Sequence, residues 1–211
     1  NAGAIDLFAA FHDAPGPPRP LTGTDGMAPA GQFAGAADRT LLLAFSGGGG
    51  TVELPPERFT SYLLAHGLEW VLAERKARGE DRQPARERFH RYAKSLLSGH
   101  SAAPVASRVI NQTLEIVPDG DPTRDASPTF SARLFWKAAP LQNCLIIARP
   151  RNDPLHPRQA RSGEGGRFHL DLDQSGIWLL QAVWMERAGW FSPYEWESHW
   201  ASLTFLKPEP Q

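Results

Sequence analysis

The feature that most constrains the fold is a series of short apolar segments, each ended by turn residues, in the second half of the chain. Glycine and proline, the strongest turn formers, occur 19 times each among 211 residues, which is typical of a fold with many chain reversals. Short apolar segments with turns between them predict an antiparallel β-sandwich. The segments predicted as strands are 112–117, 131–136, 144–148, 167–172, 177–185 and 198–206.

The first 54 residues also predict short strands. Residues 41–45 form an apolar run that ends in the glycines from Gly47 to Gly50. Glycine runs also occur in phosphate-binding loops, but the Gly-Lys-Ser/Thr that such a loop needs does not follow here. We therefore predict a flexible hairpin loop at these glycines.

Between these β regions, apolar residues recur at the spacing of a helix. One such pattern starts at Pro55 and Pro56, which are tolerated in the first turn of a helix, and ends at Gly79. A second pattern covers residues 84–97, and its apolar stripe consists of Phe89, Tyr92, Ala93 and Leu96. Two consecutive helices with a short connection predict a helical hairpin at about residues 56–98.

These patterns together predict a mainly β fold, with two β-sandwich-like units and an inserted α-helical hairpin. Residues 1–121 are expected to form the first unit, which contains the hairpin and takes back the strand at 112–117. Residues 122–211 are expected to form the second unit.

Composition excludes several classes of function. The formal net charge of −1 provides no basic surface for nucleic acid, so we predict no nucleic-acid partner. Cys144 is the only cysteine, which rules out an intrachain disulfide and a thiolate zinc cluster. Within an apolar run it is best interpreted as a small buried hydrophobe. No apolar stretch is long enough to cross a bilayer, so we predict no transmembrane segment in this chain.

The sequence contains no complete catalytic motif. A Gly-x-Ser-x-Gly elbow, a His-Glu-x-x-His pair and a dinucleotide-binding glycine fingerprint are all missing. Glu195 and Glu197 are close in sequence, but nothing around them indicates a sugar-binding cleft. We therefore predict that the protein is not an enzyme.

Histidines provide a metal-binding hypothesis. His169 and Asp171 are two residues apart in a predicted strand and so share one face, and His199 of the last strand is placed to join them. Neutral imidazole and carboxylate are ligands of transition metals such as nickel and cobalt. Alternating polar residues are equally typical of any half-solvated strand, so both interpretations stay open. His66 and His90 are interpreted as histidines of the core or its boundary.

The segment 190–196 concentrates aromatic residues in the connection between two predicted strands. Large aromatics in a loop are typical of contact surfaces, which makes Trp190, Phe191 and Tyr194 candidates for contact with a protein partner. The alternative is that these rings fold back and cap the end of the sandwich.

Five segments carry a resemblance to known proteins: 59–68, 86–94, 114–118, 176–183 and 196–205. Together they resemble a family of bacterial periplasmic proteins of largely undefined function, often described as periplasmic components of nickel or cobalt uptake systems. The family's C-terminal module is similar to the transthyretin-like sandwich that serves as a regulatory domain in carboxypeptidases, and residues 163–168 fit its turn-then-strand signature.

This resemblance implies a periplasmic location and a non-catalytic binding or accessory role in nickel or cobalt uptake, with a transporter or another membrane complex as partner. The alternative is a structural or docking subunit of a larger membrane-associated complex. Family members carry an N-terminal segment with a histidine, which has no counterpart before Asn1, and a second histidine where this chain has Trp184. A retained metal role therefore requires replacement ligands, for which His169, Asp171 and His199 are the candidates.

Overall fold

A computed structural model describes residues 5–13, 17–23, 28, 32–33, 38–100 and 104–210 of the chain. Strands make up 49% and helices 14%, which confirms the predicted mainly β class with sandwich-like units. The helices are α1 (Pro56–Ala65) and α2 (Glu69–Ala77). The strands are β1 (Ile5–Phe11), β2 (Arg19–Pro20), β3 (Leu41–Leu54), β4 (Ala85–Leu97), β5 (Leu114–Pro118), β6 (Thr129–Trp136), β7 (Ala139–Pro140), β8 (Leu145–Pro150), β9 (Arg158–Arg161), β10 (Arg167–Asp171), β11 (Gly176–Arg187) and β12 (Trp196–Lys207).

The strands form two sheets. The larger sheet has eight strands in the order β2-β1-β3-β4-β12-β11-β8-β9, and the smaller has the order β10-β6-β5 with β7 beside β6. In the larger sheet β4 and β12 run parallel, so strands from both predicted units meet in the same sheet. The prediction that 112–117 returns to the first unit's sheet is wrong, because β5 pairs with β6 in the smaller sheet.

The main hydrophobic core fills the space between the two sheets. Alternate side chains of each strand point inwards, so that Leu203 and Phe205 of β12 face the same core as Ala132 and Leu134 of β6. Burial of each large apolar side chain contributes roughly 1.5–3 kcal/mol. The sandwich is therefore held chiefly by this apolar layer.

The two helices cover the opposite face of the larger sheet. They enclose a second, smaller core in which Phe59 and Leu63 of α1 and Val71 of α2 pack against Trp196 of β12. The chain bends between the helices at Gly67, which has a φ of +68° and would bring a side chain into contact with Leu145. No helix in the described part of the chain is long and apolar enough to span a membrane.

The predicted second helix at 84–97 is wrong, because these residues form strand β4. Its buried positions alternate for most of its length and include Ala85, Glu87, Tyr92, Lys94 and Leu96. Two of these are charged, so the period of two is hidden in the apolar pattern. Hydrogen bonding to β3 on one side and β12 on the other overrides the local helical spacing.

The glycine run is part of strand β3 and not the predicted hairpin loop. The register between β3 and β4 shifts between Gly48 and Thr51, which marks an irregularity in the pairing. At Gly49 a side chain would overlap the ring and backbone of Phe89. Glycine is therefore required here for close packing against β4.

Candidate functional site

Two histidines lie side by side on the parallel pair of strands in the larger sheet. His90 of β4 and His199 of β12 are neighbours in register, and their rings stack with centroids 4.9 Å apart and planes 8° apart. Trp136 of β6 meets the His199 ring edge-on with centroids 4.6 Å apart. Because β6 belongs to the smaller sheet, the histidine pair faces the space between the sheets, beside the main core.

Two carboxylates complete this group, which we call the His–Glu cluster (His90, Glu186, Glu197 and His199). Glu186 of β11 is paired in register with Glu197 of β12, and Glu197 shares the face of His199 because it lies two residues away. One ligand atom from each of Glu186, Glu197 and His199 lies within 4.8 Å of the other two. The Nε2–carboxylate distances are 3.4 Å from His199 to Glu186 and 3.5 Å from His90 to Glu197.

The two ring nitrogens that face the carboxylates are unusual. The Nε2 atoms of His90 and His199 are buried, and neither has a hydrogen-bond partner among the described residues. Buried polar side-chain atoms are normally hydrogen-bonded, so such exceptions are informative about function or bound ions. Here the two nitrogens face carboxylate oxygens at 3.4 and 3.5 Å, and together these atoms form a set of donors for a cation.

The surroundings of His199 keep its imidazole neutral. His199 is only 5% exposed. Burial lowers its pKa to about 4, and the neighbouring His90 acts in the same direction while Glu186 opposes the shift. Nδ1 lies 3.1 Å from the Tyr92 hydroxyl. In the tautomer with the proton on Nδ1, the ring donates to Tyr92, and Nε2 presents its lone pair to the cluster, as in metal-binding histidines.

Lys137 is the cation next to the cluster. Its Nζ donates to both carboxylate oxygens of Glu186, at 3.1 and 2.9 Å, and lies 4.7 Å from the centroid of the Trp136 ring. The Lys137 side chain is 55% exposed. Because a long exposed side chain can move into solvent at small cost, Lys137 neutralises Glu186 without closing the cluster to an ion.

The donor set suits a divalent transition metal. Imidazole nitrogen and carboxylate oxygen together bind ions such as zinc, nickel and cobalt. Ligand atoms at roughly 2.1 Å from such an ion lie about 3.0–3.5 Å apart. The atoms of Glu186, Glu197 and His199, which lie within 4.8 Å of one another, would therefore have to approach by up to about 1.3–1.8 Å to hold an ion.

The structure does not bring the predicted metal ligands together. His169 and Asp171 lie on β10 of the smaller sheet, exposed on the face that points away from the core, and Nδ1 of His169 lies 2.9 Å from the Ser131 hydroxyl. His199 lies in the larger sheet and faces the interior. Of the three predicted ligands, only His199 belongs to the His–Glu cluster.

The other members of the cluster were missed by sequence reasoning for identifiable causes. The sequence pattern predicts a helix at His90, and the pairing of His90 with His199 joins residues more than a hundred positions apart. Glu197 was considered only as a catalytic acid. The signal that the sequence did contain was the Glu197-x-His199 spacing on a strand, which puts both side chains on one face.

The structure separates the three predicted partner-contact residues into two groups. Trp190 and Phe191 lie in the connection between β11 and β12 and are 93% and 97% exposed, so they do not cap the sandwich. Tyr194 is half-buried and accepts a hydrogen bond from Arg88 of β4 at 3.2 Å. Tyr194 therefore anchors the connection to the sheet while Trp190 and Phe191 face solvent.

Comparison with known proteins gives a family but no individual relative. Neither the curated proteins nor the solved structures yielded a match. Residues 9–186 match a family described as a domain of unknown function, DUF4198. The matched span contains Trp184 and Glu186 of β11 and ends before β12, which supplies Glu197 and His199. Because the match covers most of the sequence, the chain belongs to the DUF4198 family.

Proposed function

We propose that this chain is a non-catalytic periplasmic binding protein that holds a nickel or cobalt ion at the His–Glu cluster, as an accessory component of metal uptake. The observation that carries the proposal is the convergence of Glu186, Glu197 and His199. In addition, the Nε2 atoms of His199 and His90 are buried without a hydrogen-bond partner in the described part of the chain. A cation between these groups would match both the nitrogens and the carboxylates.

The protonation state supports binding at neutral pH. A pKa of about 4 for His199 means that its imidazole is neutral well below pH 7, as a metal ligand must be. Binding, and not catalysis, fits the position of His199 in the interior, where it is only 5% exposed. Nickel and cobalt are preferred over zinc because of the resemblance to uptake components, and the periplasmic location rests on the same resemblance.

Calorimetric titration with nickel, cobalt and zinc chloride tests this proposal. We expect the wild type to bind, and His199→Ala and Glu197→Gln to weaken binding by at least about tenfold, the smallest loss usual for disruption of a metal site. His169→Ala is the matched control, since it removes an exposed histidine outside the cluster, and should leave the affinity unchanged. Absence of binding to the wild type contradicts the metal role, and binding of zinc alone contradicts the nickel or cobalt assignment.

A second candidate function is that of a docking subunit in a membrane-associated complex. The specific observation in its favour is the nearly complete exposure of Trp190 and Phe191, since soluble monomers rarely present adjacent large aromatics to solvent. The double variant Trp190→Ser with Phe191→Ser should change unfolding free energy by less than about 0.5 kcal/mol and abolish co-sedimentation with the membrane fraction. Unchanged co-sedimentation contradicts the docking role.

A further inference from the structure

A separate pocket lies on the opposite face of the larger sheet, under helix α1. Its volume is about 160 Å³, similar to that of cavities that take up a benzene-sized molecule. It opens between α1, β3, β4 and β12, so its walls come from four elements that are fixed by the sheet. The residues that line it are Val52, Leu54, Tyr62, Glu87, Phe89, Arg91 and Trp200.

Aromatic rings form two walls of this pocket. Tyr62 and Trp200 stack with centroids 5.7 Å apart and planes 6° apart, and Phe89 stands on β4, where Gly49 leaves space for its ring. The faces of such rings attract cations. One cation already uses this property, since the Arg91 guanidinium carbon lies 5.2 Å from the centroid of Phe89.

His66 supports the aromatic wall without adding a positive charge. Its ring meets Trp200 edge-on with centroids 4.8 Å apart and Tyr62 with centroids 5.3 Å apart. Burial lowers the pKa of His66 to about 4, and the charge of Arg149 acts in the same direction. At neutral pH the imidazole is therefore uncharged and does not repel a cation in the pocket.

A buried carboxylate provides the countercharge. Glu87 is 3% exposed, and its Oε1 accepts hydrogen bonds from the hydroxyl groups of Ser198 and Tyr62, the latter at 3.5 Å. Its Oε2 is buried and has no hydrogen-bond partner within the ranges that the structure describes. Burial raises the pKa of Glu87 above its ordinary value, because the two hydroxyl donors only partly offset the loss of water.

We propose that this pocket binds a small organic ammonium ion, held between the Tyr62, Phe89 and Trp200 rings with Glu87 as its countercharge. An alkylated ammonium spreads its charge over methyl and methylene groups, which contact ring faces without losing a tightly bound hydration shell. An anion would meet the Glu87 carboxylate, since the guanidinium of Arg91 lies over the Phe89 ring. A metal ion would find one carboxylate among rings that are not ligands. The volume fits a ligand of choline size or smaller.

The inference is independent of the proposed metal site. Trp200 and His199 are consecutive residues of β12, so they point to opposite faces of the sheet. Trp200 contacts Tyr62 of the helix layer, whereas His199 contacts Trp136 of the smaller sheet. Loss of metal binding therefore leaves the ammonium pocket intact, and the reverse also holds.

Calorimetric titration of the purified chain with choline, compared with its uncharged isostere 3,3-dimethylbutan-1-ol, tests the proposal. The two molecules have the same shape and differ in the positive charge, so choline should bind at least about tenfold more tightly if ring faces and a carboxylate recognise that charge. Equal affinities, or no binding of choline at millimolar concentrations, overturn the proposal. This comparison uses the wild type alone and does not depend on how any variant folds.

Two variants test whether choline binds in this pocket. Glu87→Gln keeps the shape of the side chain and removes its charge, so choline affinity should fall about tenfold while the affinity for the isostere stays the same. Glu53→Gln removes an exposed carboxylate from the same region of the sheet and should change neither affinity. If both variants weakened choline binding equally, the general negative charge of the surface would account for binding, and the assignment to this pocket would be overturned.

Discussion

The two interiors of this molecule each bury a carboxylate, and they surround it differently. Between the sheets, Glu115 is 1% exposed, forms an ion pair with Lys94, and accepts backbone hydrogen bonds from Ile110 at 2.8 Å and Gln112 at 3.2 Å. Under the helices, Glu87 receives only two hydroxyl donors on one oxygen. One carboxylate is fully matched by the protein and the other is half matched.

The matched carboxylate, Glu115, therefore stabilises the fold, whereas the half-matched Glu87 is available to a ligand. Nζ of Lys94 also donates to the carbonyl oxygens of Arg108 and Ile116, each at 3.3 Å, so the Lys94–Glu115 pair links β4 of the larger sheet to β5 of the smaller one. Glu87 links α1 to the sheet only through hydroxyl groups, which can turn to other partners. We therefore expect the two carboxylates to respond very differently to substitution.

The largest effect is expected for Lys94→Met. Removal of one partner of a buried ion pair leaves the other charge unmatched in the interior, which destabilises proteins by about 3–5 kcal/mol. The free energy of unfolding, measured by urea denaturation at neutral pH, should fall by that amount. Lys76→Met, at an exposed position of α2, is the control and should have little effect. A loss below about 1 kcal/mol for Lys94→Met would remove the distinction between the two interiors.

A second prediction concerns acid sensitivity beside the main core. The pKa of His199 is lowered from 6.5 to about 4, so below pH 6.5 the unfolded chain binds a proton that the folded chain does not. The contribution of His199 to the unfolding free energy is then fully present above pH 6.5. It decreases as the pH falls towards 4, by up to about 3 kcal/mol.

Urea denaturation across this pH range measures that decrease. His199→Gln should flatten the pH dependence of the unfolding free energy, whereas His169→Gln, on the exposed face of β10, should leave it as in the wild type. An unchanged slope in His199→Gln would mean that other groups cause the acid sensitivity.

The smallest effect is expected for Glu87→Gln. This substitution relieves the burial of a charge without a cationic partner and keeps two hydroxyl neighbours, so the unfolding free energy at pH 7 should change by less than about 1 kcal/mol. Because the pKa of Glu87 is raised, the wild type should lose stability as the pH rises above about 4.5, the ordinary range of glutamate, and the variant should not. A loss of stability comparable to that of Lys94→Met would show that Glu87 is as fully matched as Glu115.

The charged residues Glu87 and Lys94 also explain which strands could be predicted from the sequence. From residue 112 onwards most strands follow apolar patterns bounded by turns, and β6, β8, β10, β11 and β12 lie where the sequence predicts them. The short β7 and the polar β9 have no such pattern and are not predicted. In β4 the buried positions include Glu87, which faces the core under the helices, and Lys94, which faces the core between the sheets. Because charged residues count as solvent-facing in any pattern analysis, the alternation was hidden and the apolar remainder imitated a helix.

The candidate sites were less predictable than the strands for a physical reason. His199 was identified because histidine is itself a signal, but its neighbours depend on how distant strands pair. His90 and Glu87 become neighbours of β12 only through the parallel pairing of β4 with β12. A parallel pair carries no local turn signature, in contrast to the β11–β12 hairpin, so no short-range feature of the sequence specifies it.

The parallel pairing of β4 with β12 also has a consequence for how the chain folds. Strand β12 lies in the middle of the larger sheet, between a strand from early in the chain and the strand just before it. Strands β1 to β4 pair with one another, but they join β11, β8 and β9 only through β12. Contacts between such distant segments form slowly, since a long loop must close before they can stabilise the fold. The pairing of β4 with β12 is thus expected to be the late step that joins the two halves of the larger sheet.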